Sequence, residues 1–512
     1  MGEFKIIEEI IEEKKYKNPN DIHDLYYTEE LVIGLCGQLG TNLKQVSKEL
    51  IDILENDYGY DCTEIKLSEF LFEGKIKPTD EYERITTGMN YGDSIRKEKS
   101  NNVLASLAIS KISNSRMRDT ALVDSEIQNF KSQRKCFIIN SIKHPDELIS
   151  FQKVYGTSFY LIGVFSPEIE RLKNLESRIN KKHYSKIQTL LDRDNDSDED
   201  NGQKLRDVFV DSDYFIRDTN SENIKSKLER LINLIFDYGI NTPNVDENSM
   251  YQATAAAANS ACLSRQVGAC LTDKVGNILS IGWNDVPRFG GGVYLSDNKN
   301  KDQRCFCEDW KMCTNSSKKD NMIENIIKDF QEKGILDKPD YKTKPLFDKV
   351  PIVTSILKKN GIKDLIEFGR SVHAEMHAII IGGQRTGEKM IDGKLYCTTY
   401  PCHNCARHII MAGIKEVYYI EPYPKSLCLT LHKDAITENE NDKDKVRILM
   451  YEGVAPKSFI KFYQLITDNR KKKILGQEKK TLNPKHQVHL ESLPEKETHY
   501  LKSVRNILNI EK

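Results

Sequence analysis

The stretch KLYCTTYPCHNCARHIIMAGIKEVYYIEP, residues 394–422, contains two apolar segments separated by an amphipathic one. KLYCTTY and KEVYYIEP have the composition of buried strands, and CARHIIMAG between them has the apolar spacing of a helix. Upstream, MYQATAAAANSACL and VHAEMHAIII predict two helices, and QVGACLTD with NILSIGWN predicts a hairpin. This half of the chain is therefore predicted to run helix, two strands, helix, strand, helix, strand.

Four residues in this region have the types and spacing of a catalytic metal site. Cys402 and Cys405 follow Pro401 and lie one turn apart at the start of the predicted helix, so they share a face. His373 and Glu375 precede that proline, with twenty-five residues between Glu375 and Pro401. The pattern H-A-E followed by P-C-x-x-C is the signature of zinc-dependent nucleobase deaminases.

The chemistry explains why these residue types are needed. One imidazole and two thiolates give zinc three ligands and leave its fourth position for water. The helix N-terminus favours the negative charge of the thiolates. Glu375 cannot point the same way as His373, two positions earlier, but it can lie beside the open position. We expect Glu375 to take a proton from water, whose pKa zinc lowers to about 7, and to give it to the base.

Two other interpretations of the cysteine pair are weighed against this one. A redox pair would need a thioredoxin-like setting and would leave His373 and Glu375 without a role. A structural zinc site would need a fourth ligand, for which His377 and His403 are near enough in sequence. His377 and His408 are otherwise expected to be packing or surface histidines.

Residues 250–465 resemble the deoxycytidylate deaminase family of the cytidine deaminase superfamily. The likeness is carried by SRQVGACL (264–271), ILSIGWNDVP (278–287), VHAEMHAII (372–380) and YPCHNCARHIIMAGIKEV (400–417). It implies an α/β/α domain with a mixed sheet, in which His373, Cys402 and Cys405 hold zinc and Glu375 is the catalytic proton shuttle.

The resemblance also implies a set of substrate-binding residues. Asn284 would hydrogen-bond the sugar, although Asp285 stands where the family has a glycine. Arg265 is a candidate for the substrate phosphate, because a guanidinium fork suits phosphate oxygens; the alternative is a surface arginine. Tyr400 would pack on the base or else belong to the core.

A long insertion, residues 290–370, separates the hairpin from the H-A-E helix. It contains Cys305, Cys307 and Cys313 in the sequence RCFCEDWKMC. Some deoxycytidylate deaminases bind a second, structural zinc, and these cysteines could supply ligands. No fourth partner is evident, so the spacing leaves this second zinc open.

The front half, residues 29–240, alternates apolar runs with amphipathic stretches, which predicts a parallel sheet covered by helices. LVIGLCGQLGTNLKQV places a glycine-rich turn between a strand and a helix, the setting of a phosphate-binding loop. Gly34, Gly37, Gly40 and Thr41 are candidate nucleotide-binding residues. The phosphate-gripping lysine of such loops is missing, because Thr41 and Asn42 follow Gly40. We therefore expect a degenerate P-loop kinase-like domain.

Further segments complete the predicted organisation. Residues 1–28 are an N-terminal extension, 250–468 are the deaminase-like domain, and 469–512 are a loosely packed tail. The acidic run DRDNDSDEDNGQK, residues 192–204, is expected to be a solvated loop.

The overall composition suits a soluble cytoplasmic protein. Of 512 residues, 76 are Lys or Arg and 77 are Asp or Glu, so no global positive field favours a long nucleic-acid footprint. No apolar run has membrane-spanning length, and no membrane partner is expected. The twelve cysteines are scattered, mostly in apolar runs, which favours reduced thiols over a disulfide framework.

Nearly the whole chain resembles the bacterial anti-phage dCTP deaminases. This implies conversion of dCTP, and of dCMP, to the deoxyuridine nucleotide, which would deplete dCTP during phage infection. It further implies a homo-oligomer whose activity is restrained by a regulatory nucleotide or a small RNA. The alternatives are a tRNA or single-stranded DNA base deaminase, which would need a basic channel, and a zinc-stabilised sensor without turnover, for which Glu375 would have no use.

Overall fold

The computed structural model describes residues 27–120, 132–195, 203–219, 223–296, 302–307, 311–332, 353–357, 362, 365, 368–423, 426–464, 476–490 and 492–508. They divide into two compact units. Unit 1 comprises Met1–Pro243 with Glu452–Lys512, and unit 2 comprises Asn244–Tyr451. None of the described helices is both long enough and apolar enough to cross a membrane.

The strands and helices are numbered in chain order. The strands are β1 (Tyr27–Thr28), β2 (Leu31–Gly37), β3 (Asp61–Lys66), β4 (Lys135–Asn140), β5 (Phe159–Phe165), β6 (Tyr214–Arg217), β7 (Gly268–Thr272), β8 (Ile278–Trp283), β9 (Lys394–Thr399), β10 (Glu416–Glu421), β11 (Ile436–Thr437), β12 (Val446–Met450), β13 (Gly453–Val454) and β14 (Val488–His489). The helices are α1 (Leu43–Tyr58), α2 (Leu67–Phe70), α3 (Glu81–Glu98), α4 (Val103–Thr120), α5 (Pro145–Tyr155), α6 (Glu168–Glu176), α7 (Ile187–Asn195), α8 (Leu205–Val210), α9 (Ile224–Ile235), α10 (Val245–Ala257), α11 (Thr314–Glu332), α12 (Ala374–Thr386), α13 (His403–Met411), α14 (Cys428–Leu431), α15 (Phe459–Tyr463) and α16 (Ser492–Leu508).

Unit 1 is built on a six-stranded sheet of order β13-β6-β5-β2-β4-β3. The strands from β6 to β3 are parallel, as the alternation of apolar and amphipathic segments predicts. The central strand β2 is buried along its whole length, because helices cover a parallel sheet on both faces. Helix α1 begins at its cap Asn42, whose side chain accepts a hydrogen bond from the amide of Gln45.

The C-terminal part of the chain belongs to unit 1, which differs from the predicted boundary at 468. Strand β13 pairs antiparallel with β6, so the chain leaves unit 2 at Tyr451. Strand β14 pairs with β1, and α16 packs on α4 and α5. The described part of residues 469–512 is therefore a structural element of unit 1, and the prediction of a loosely packed tail is wrong there.

The buried contact of α16 is ionic. Arg116 of α4 lies between the carboxylates of Glu30 and Glu497, and each of these three side chains is at most 3% exposed. Tyr155 donates a hydrogen bond to Glu497 over 3.0 Å. Arg116 lies 86 positions from Glu30 and 381 from Glu497, so no local pattern could reveal these contacts.

The acidic run also differs from its prediction where the structure describes it. Asp192–Asn195 form the last turn of α7, and Asp194 is 1% exposed. Residues 196–202 lie outside the described residues.

Unit 2 has a mixed six-stranded sheet of order β11-β12-β10-β9-β7-β8. β9, β10, β12 and β11 are parallel, whereas β7 is antiparallel to both β9 and β8. The predicted hairpin is confirmed, and the predicted helices and strands occur in the predicted order with a further helix, α11, between β8 and α12.

Two glycines let helices approach the sheet of unit 2 closely. A Cβ on Gly268 would lie 1.9 Å from the Ala253 carbonyl oxygen of α10, and one on Gly282 would lie 2.4 Å from the Ala378 amide of α12. Gly282 is paired with Ala269, the neighbour of Gly268, so the two glycines face opposite sides of the sheet. The helices α10 and α12 therefore cover opposite faces, which gives three layers.

Candidate metal and catalytic site

The predicted ligands lie at the starts of two helices in unit 2. His373 is the N-cap of α12 and Cys402 is the N-cap of α13, both with extended backbone angles. Cys405 lies in the first turn of α13 and is fully buried. Pro401 lies in the short connection between the carboxyl end of β9 and the start of α13. Its fixed φ restricts the direction of the chain there. The helix N-termini favour anionic sulfur at this point.

The three ligand atoms meet in space. His373 Nδ1 lies 3.4 Å from Cys402 Sγ and 3.3 Å from Cys405 Sγ. All three atoms lie within 4.8 Å of one another. Tetrahedral zinc with bonds of about 2.3 Å to sulfur and about 2.0 Å to nitrogen requires a nitrogen–sulfur separation of about 3.5 Å. The donor set and its spacing therefore fit zinc.

The two sulfurs differ in their electrostatics: burial raises the pKa of Cys405, whereas that of Cys402 is lowered. Hydrogen bonds from Cys405 and then from His373 lower the pKa of Cys402 to about 4, so this thiolate is stable at neutral pH. Metal ligation requires a deprotonated sulfur, and Cys402 supplies one.

Glu375 lies beside the three ligands without belonging to their group. It is the second residue of α12, is 4% exposed, and shares a hydrogen bond with Cys405. Burial raises the pKa of its carboxyl group, and the neighbouring Cys402 charge raises it further. A buried carboxyl whose pKa is raised toward neutrality is suited to exchange protons at a reacting base.

The ligand group contains no fourth histidine or cysteine among the described residues. His377 instead lies in the core, where its Nδ1 is 3.0 Å from the Trp283 carbonyl oxygen and the two rings meet edge to face. His403 is also outside the group. A three-ligand site of this kind has the open position of catalytic zinc rather than the closed shell of structural zinc.

The predicted sugar-binding residue is engaged with backbone. Asn284 is 7% exposed; its Oδ1 accepts a hydrogen bond from the Val267 amide over 2.7 Å, and its Nδ2 donates to the Arg265 carbonyl over 2.8 Å. Asn284 therefore fixes the segment that carries Arg265.

Arg265 and Tyr400 differ strongly in exposure. The Arg265 side chain is 42% exposed, lies 3.5 Å from a Glu421 carboxylate oxygen, and stands over the Tyr423 ring. Tyr400 is 8% exposed and packs edge to face on Tyr419, so its ring belongs to the core.

Asp285, the departure from the family pattern, has a structural role that sequence reasoning missed. It is 1% exposed, and its Oδ2 accepts a hydrogen bond from the Ala261 amide over 3.0 Å. Its carbonyl oxygen accepts from the Val372 amide over 2.9 Å, next to the ligand His373. A glycine would supply only the backbone contact, so the side chain ties a second loop to the site.

The two other candidate groups stay apart from this centre. Among the described residues, Cys305, Cys307 and Cys313 do not form a metal-sized group with one another. Asp80, Glu83 and His183 of unit 1 do, but Lys182 Nζ lies 3.7 Å from Asp80 and already balances its charge.

Three of the four predicted nucleotide-binding residues of the front loop line a cavity, and the fourth does not. Gly37, Gly40 and Thr41 line a cavity in unit 1. Gly34 does not, because it lies within β2, where a Cβ would be 2.7 Å from Ile142 Cδ1. Gly34 is a packing residue, and its inclusion in a nucleotide site is corrected.

Part of the chain is similar to known proteins. The family described as "Cytidine and deoxycytidylate deaminase zinc-binding region" matches residues 243–421. Deoxycytidylate deaminase of Enterobacteria phage T2 is 28% identical over 176 residues, which are 34% of this chain and 78% of that protein. ComE operon protein 2 of Bacillus subtilis (strain 168) is 46% identical over 54 residues, 10% of this chain and 28% of that protein.

Solved structures were compared as well. The crystal structure of dCMP deaminase from the cyanophage S-TIM5 in apo form covers 41% of this chain and 100% of its own, with 18% identity and a TM-score of 0.22.

Proposed function

We infer that this chain, a zinc-dependent cytosine nucleotide deaminase with the cytidine and deoxycytidylate deaminase zinc-binding region in residues 243–421, acts on free deoxycytidine nucleotides. The observation that carries this inference is a three-ligand group with a buried carboxyl at its side. The reaction is the hydrolysis of dCTP or dCMP to the corresponding deoxyuridine nucleotide and ammonia.

His373, Cys402 and Cys405 would hold the metal. Zinc bound there would supply Lewis-acid chemistry, which lowers the pKa of bound water to about 7 and so makes a nucleophile available at neutral pH. Glu375 accepts the proton that the attacking water loses and donates a proton to N3 of the cytosine ring as the oxygen bonds to C4. It then takes the proton of the new C4 hydroxyl and gives it to the amino group, so that the C4 carbonyl forms, the C4–N4 bond breaks and ammonia leaves. Burial of Glu375 confines these protons to the reacting atoms.

Positioning of the nucleotide falls to the loop around Arg265. Asn284 holds this loop by its two backbone hydrogen bonds, and the exposed guanidinium of Arg265 is free to turn from Glu421 toward a phosphate. A direct hydrogen bond from Asn284 to the sugar stays a prediction.

The biological role that we propose is depletion of dCTP during phage infection. Its support is the resemblance of the chain to anti-phage dCTP deaminases, which also suggests restraint by a nucleotide or small RNA and assembly into homo-oligomers. Phage challenge of cells that carry the intact chain or its Glu375→Ala variant, with dCTP and dUTP measured, tests this role. Equal dCTP pools in both cell lines would contradict it.

The enzymatic proposal is tested by ammonia release from dCTP, dCMP and a cytosine-containing single-stranded oligonucleotide. We expect release from a free nucleotide and none from the oligonucleotide. Glu375→Ala should lower kcat by at least about 100-fold, the range of general acid–base catalysis, while zinc content stays at the wild-type value. Glu388→Ala, on the turn after α12, is the matched control and should keep full activity. Ammonia release from the oligonucleotide but from neither free nucleotide would contradict this proposal and would indicate a polynucleotide deaminase.

A further inference from the structure

A cleft in unit 1 lies at the carboxyl ends of β2 and β4. It consists of two adjoining cavities of about 490 Å³ and about 200 Å³, which share Gly40, Thr41, Arg84, Ser141 and Arg178. We propose that this cleft binds a nucleoside phosphate, and that the Asp194 carboxylate holds the position of a phosphate group until the ligand displaces it.

The wall of the cleft is a tight turn that leads into a long helix. Gly40 has a φ of 89°, and a Cβ there would lie 2.7 Å from the Arg171 carbonyl oxygen. The Thr41 amide donates to the Gln38 carbonyl oxygen, and the sixteen-residue helix α1 starts at Leu43. The N-terminus of such a helix attracts anions.

Asp194 already binds there as an internal anion. Its Oδ2 accepts a hydrogen bond from the Leu39 amide over 2.6 Å, and its Oδ1 accepts from Lys143 Nζ over 2.6 Å. Lys143 Nζ also donates to the Gly37 carbonyl oxygen over 3.0 Å. A backbone amide of the turn and a lysine are the donors that a phosphate oxygen requires. Lys143 thus supplies, from the loop after β4, the cation that the turn sequence lacks.

A buried arginine gives independent evidence for an anionic ligand. Arg96 lines the smaller cavity and is 4% exposed. Its Nε and Nη2 donate to Glu147, whereas Nη1 makes no hydrogen bond with the described residues. An Asp93 carboxylate oxygen lies 3.7 Å from Nη1, beyond hydrogen-bond distance. A guanidinium N–H buried without an acceptor costs free energy that an oxygen of the ligand would recover.

Charge favours a phosphate in the larger cavity as well. Its lining contains Lys44, Lys66, Arg84 and Arg178 but no carboxylate; outside the lining, Glu64 pairs with Lys66, and Glu81 pairs with both arginines. Lys44 forms no ion pair within the described part of the chain. Ser141, which lines both cavities, has a φ of 76°, a backbone conformation that is uncommon for non-glycine residues.

The smaller cavity has an apolar side that could hold the base of a nucleotide, in addition to the cationic groups for its phosphates. Its apolar side is formed by Leu71, Phe72, Ile85 and Met89. A ligand with phosphates at the cationic end and a flat apolar group at the other end matches this division, and the combined size suits a nucleotide. Because Asp194 belongs to the last turn of α7, its release would loosen that helix.

The test is calorimetric titration of the full-length zinc-loaded chain with ATP, which carries no cytosine, and with pyrophosphate. Wild type should bind ATP saturably. Asp194→Asn should bind it about tenfold more tightly, because the competing charge is gone, and Lys143→Met should bind it at least about tenfold more weakly. Lys173→Met, whose side chain is 63% exposed and pairs with Glu170, is the matched control and should bind as wild type does.

Amide hydrogen exchange gives a second readout. ATP should accelerate exchange in peptides that cover 187–195 in wild type, whereas in Asp194→Asn this exchange should already be fast without ATP. Absence of saturable binding in both wild type and Asp194→Asn would overturn the proposal. Equal affinity in wild type, Asp194→Asn and Lys143→Met would also overturn it, because ATP would then bind elsewhere. If Lys143→Met does not fold, the comparison of Asp194→Asn with wild type decides.

Discussion

At the scale of single residues, the site depends on two helix N-cap positions whose side chains supply candidate metal ligands and are weak helix caps. The His373 side chain makes no hydrogen bond to the start of its own helix, although His373 occupies the N-cap, and the Cys402 sulfur is engaged by Cys405. Serine or aspartate would be the stronger cap, by about 1 kcal/mol. These side chains instead point to a common centre, which is the expected sign of a functional position.

Replacement of Cys402 by alanine should remove the metal. One of three ligands would be lost, and a site with two ligands does not hold zinc against dialysis. Elemental analysis should find about one zinc per chain in wild type and less than about a tenth of that in the variant. Cys428→Ala removes another fully buried thiol outside the ligand group and should keep its zinc. Full zinc occupancy in Cys402→Ala would refute the ligand assignment.

At the scale of elements, the sequence was sufficient where local pattern and packing agree. The strand–helix–strand segment 394–421, the hairpin and the H-A-E helix were predicted because their apolar spacing is unambiguous. The roles of Asn284 and Asp194 were not predictable, since each depends on partners brought together only by folding. The family resemblance predicts that Asn284 binds the sugar. In the structure its side-chain amide instead hydrogen-bonds the backbone of Val267 and Arg265, 17 and 19 positions away.

The close contact of α12 with β8 gives a prediction at this scale. Gly282→Ala would place Cβ against the backbone of α12, at Ala374 and Ala378, so the helix that carries Glu375 must shift. We expect a loss of about 2–3 kcal/mol in the free energy of unfolding of unit 2, with lower kcat. Urea titration followed by fluorescence measures the loss. Gly88→Ala of α3, where a Cβ would lie at an ordinary 3.5 Å from Phe72, should be neutral or stabilising.

At the scale of the whole molecule, unit 1 is held by contacts between distant parts of the chain. Arg116→Ala would leave Glu30 and Glu497 buried together without a cation. We expect unit 1 to lose about 3–5 kcal/mol at pH 8, measured by urea unfolding. Lys111→Ala, an exposed change on the same helix, should cost less than about 0.5 kcal/mol.

The loss in Arg116→Ala should also depend on pH. Burial raises the pKa of Glu497 above its ordinary value, so the Glu497 carboxylate binds a proton more readily in the folded chain than in the unfolded chain. The protonated carboxyl favours folding at low pH, and that contribution disappears as the pH rises through the folded pKa. The variant should therefore be closer to wild type at pH 5 than at pH 8, and an opposite trend would contradict the buried ion cluster.

The chain order of the two units has a consequence for synthesis on the ribosome. Residues 244–451 are complete before the segment from Glu452 onward has been translated. Unit 2 can therefore fold while unit 1 still lacks β13, β14 and α16. A truncated polypeptide that ends near residue 451 would contain all of unit 2 but an unfinished unit 1, so the segment from Glu452 onward decides when unit 1 can be completed.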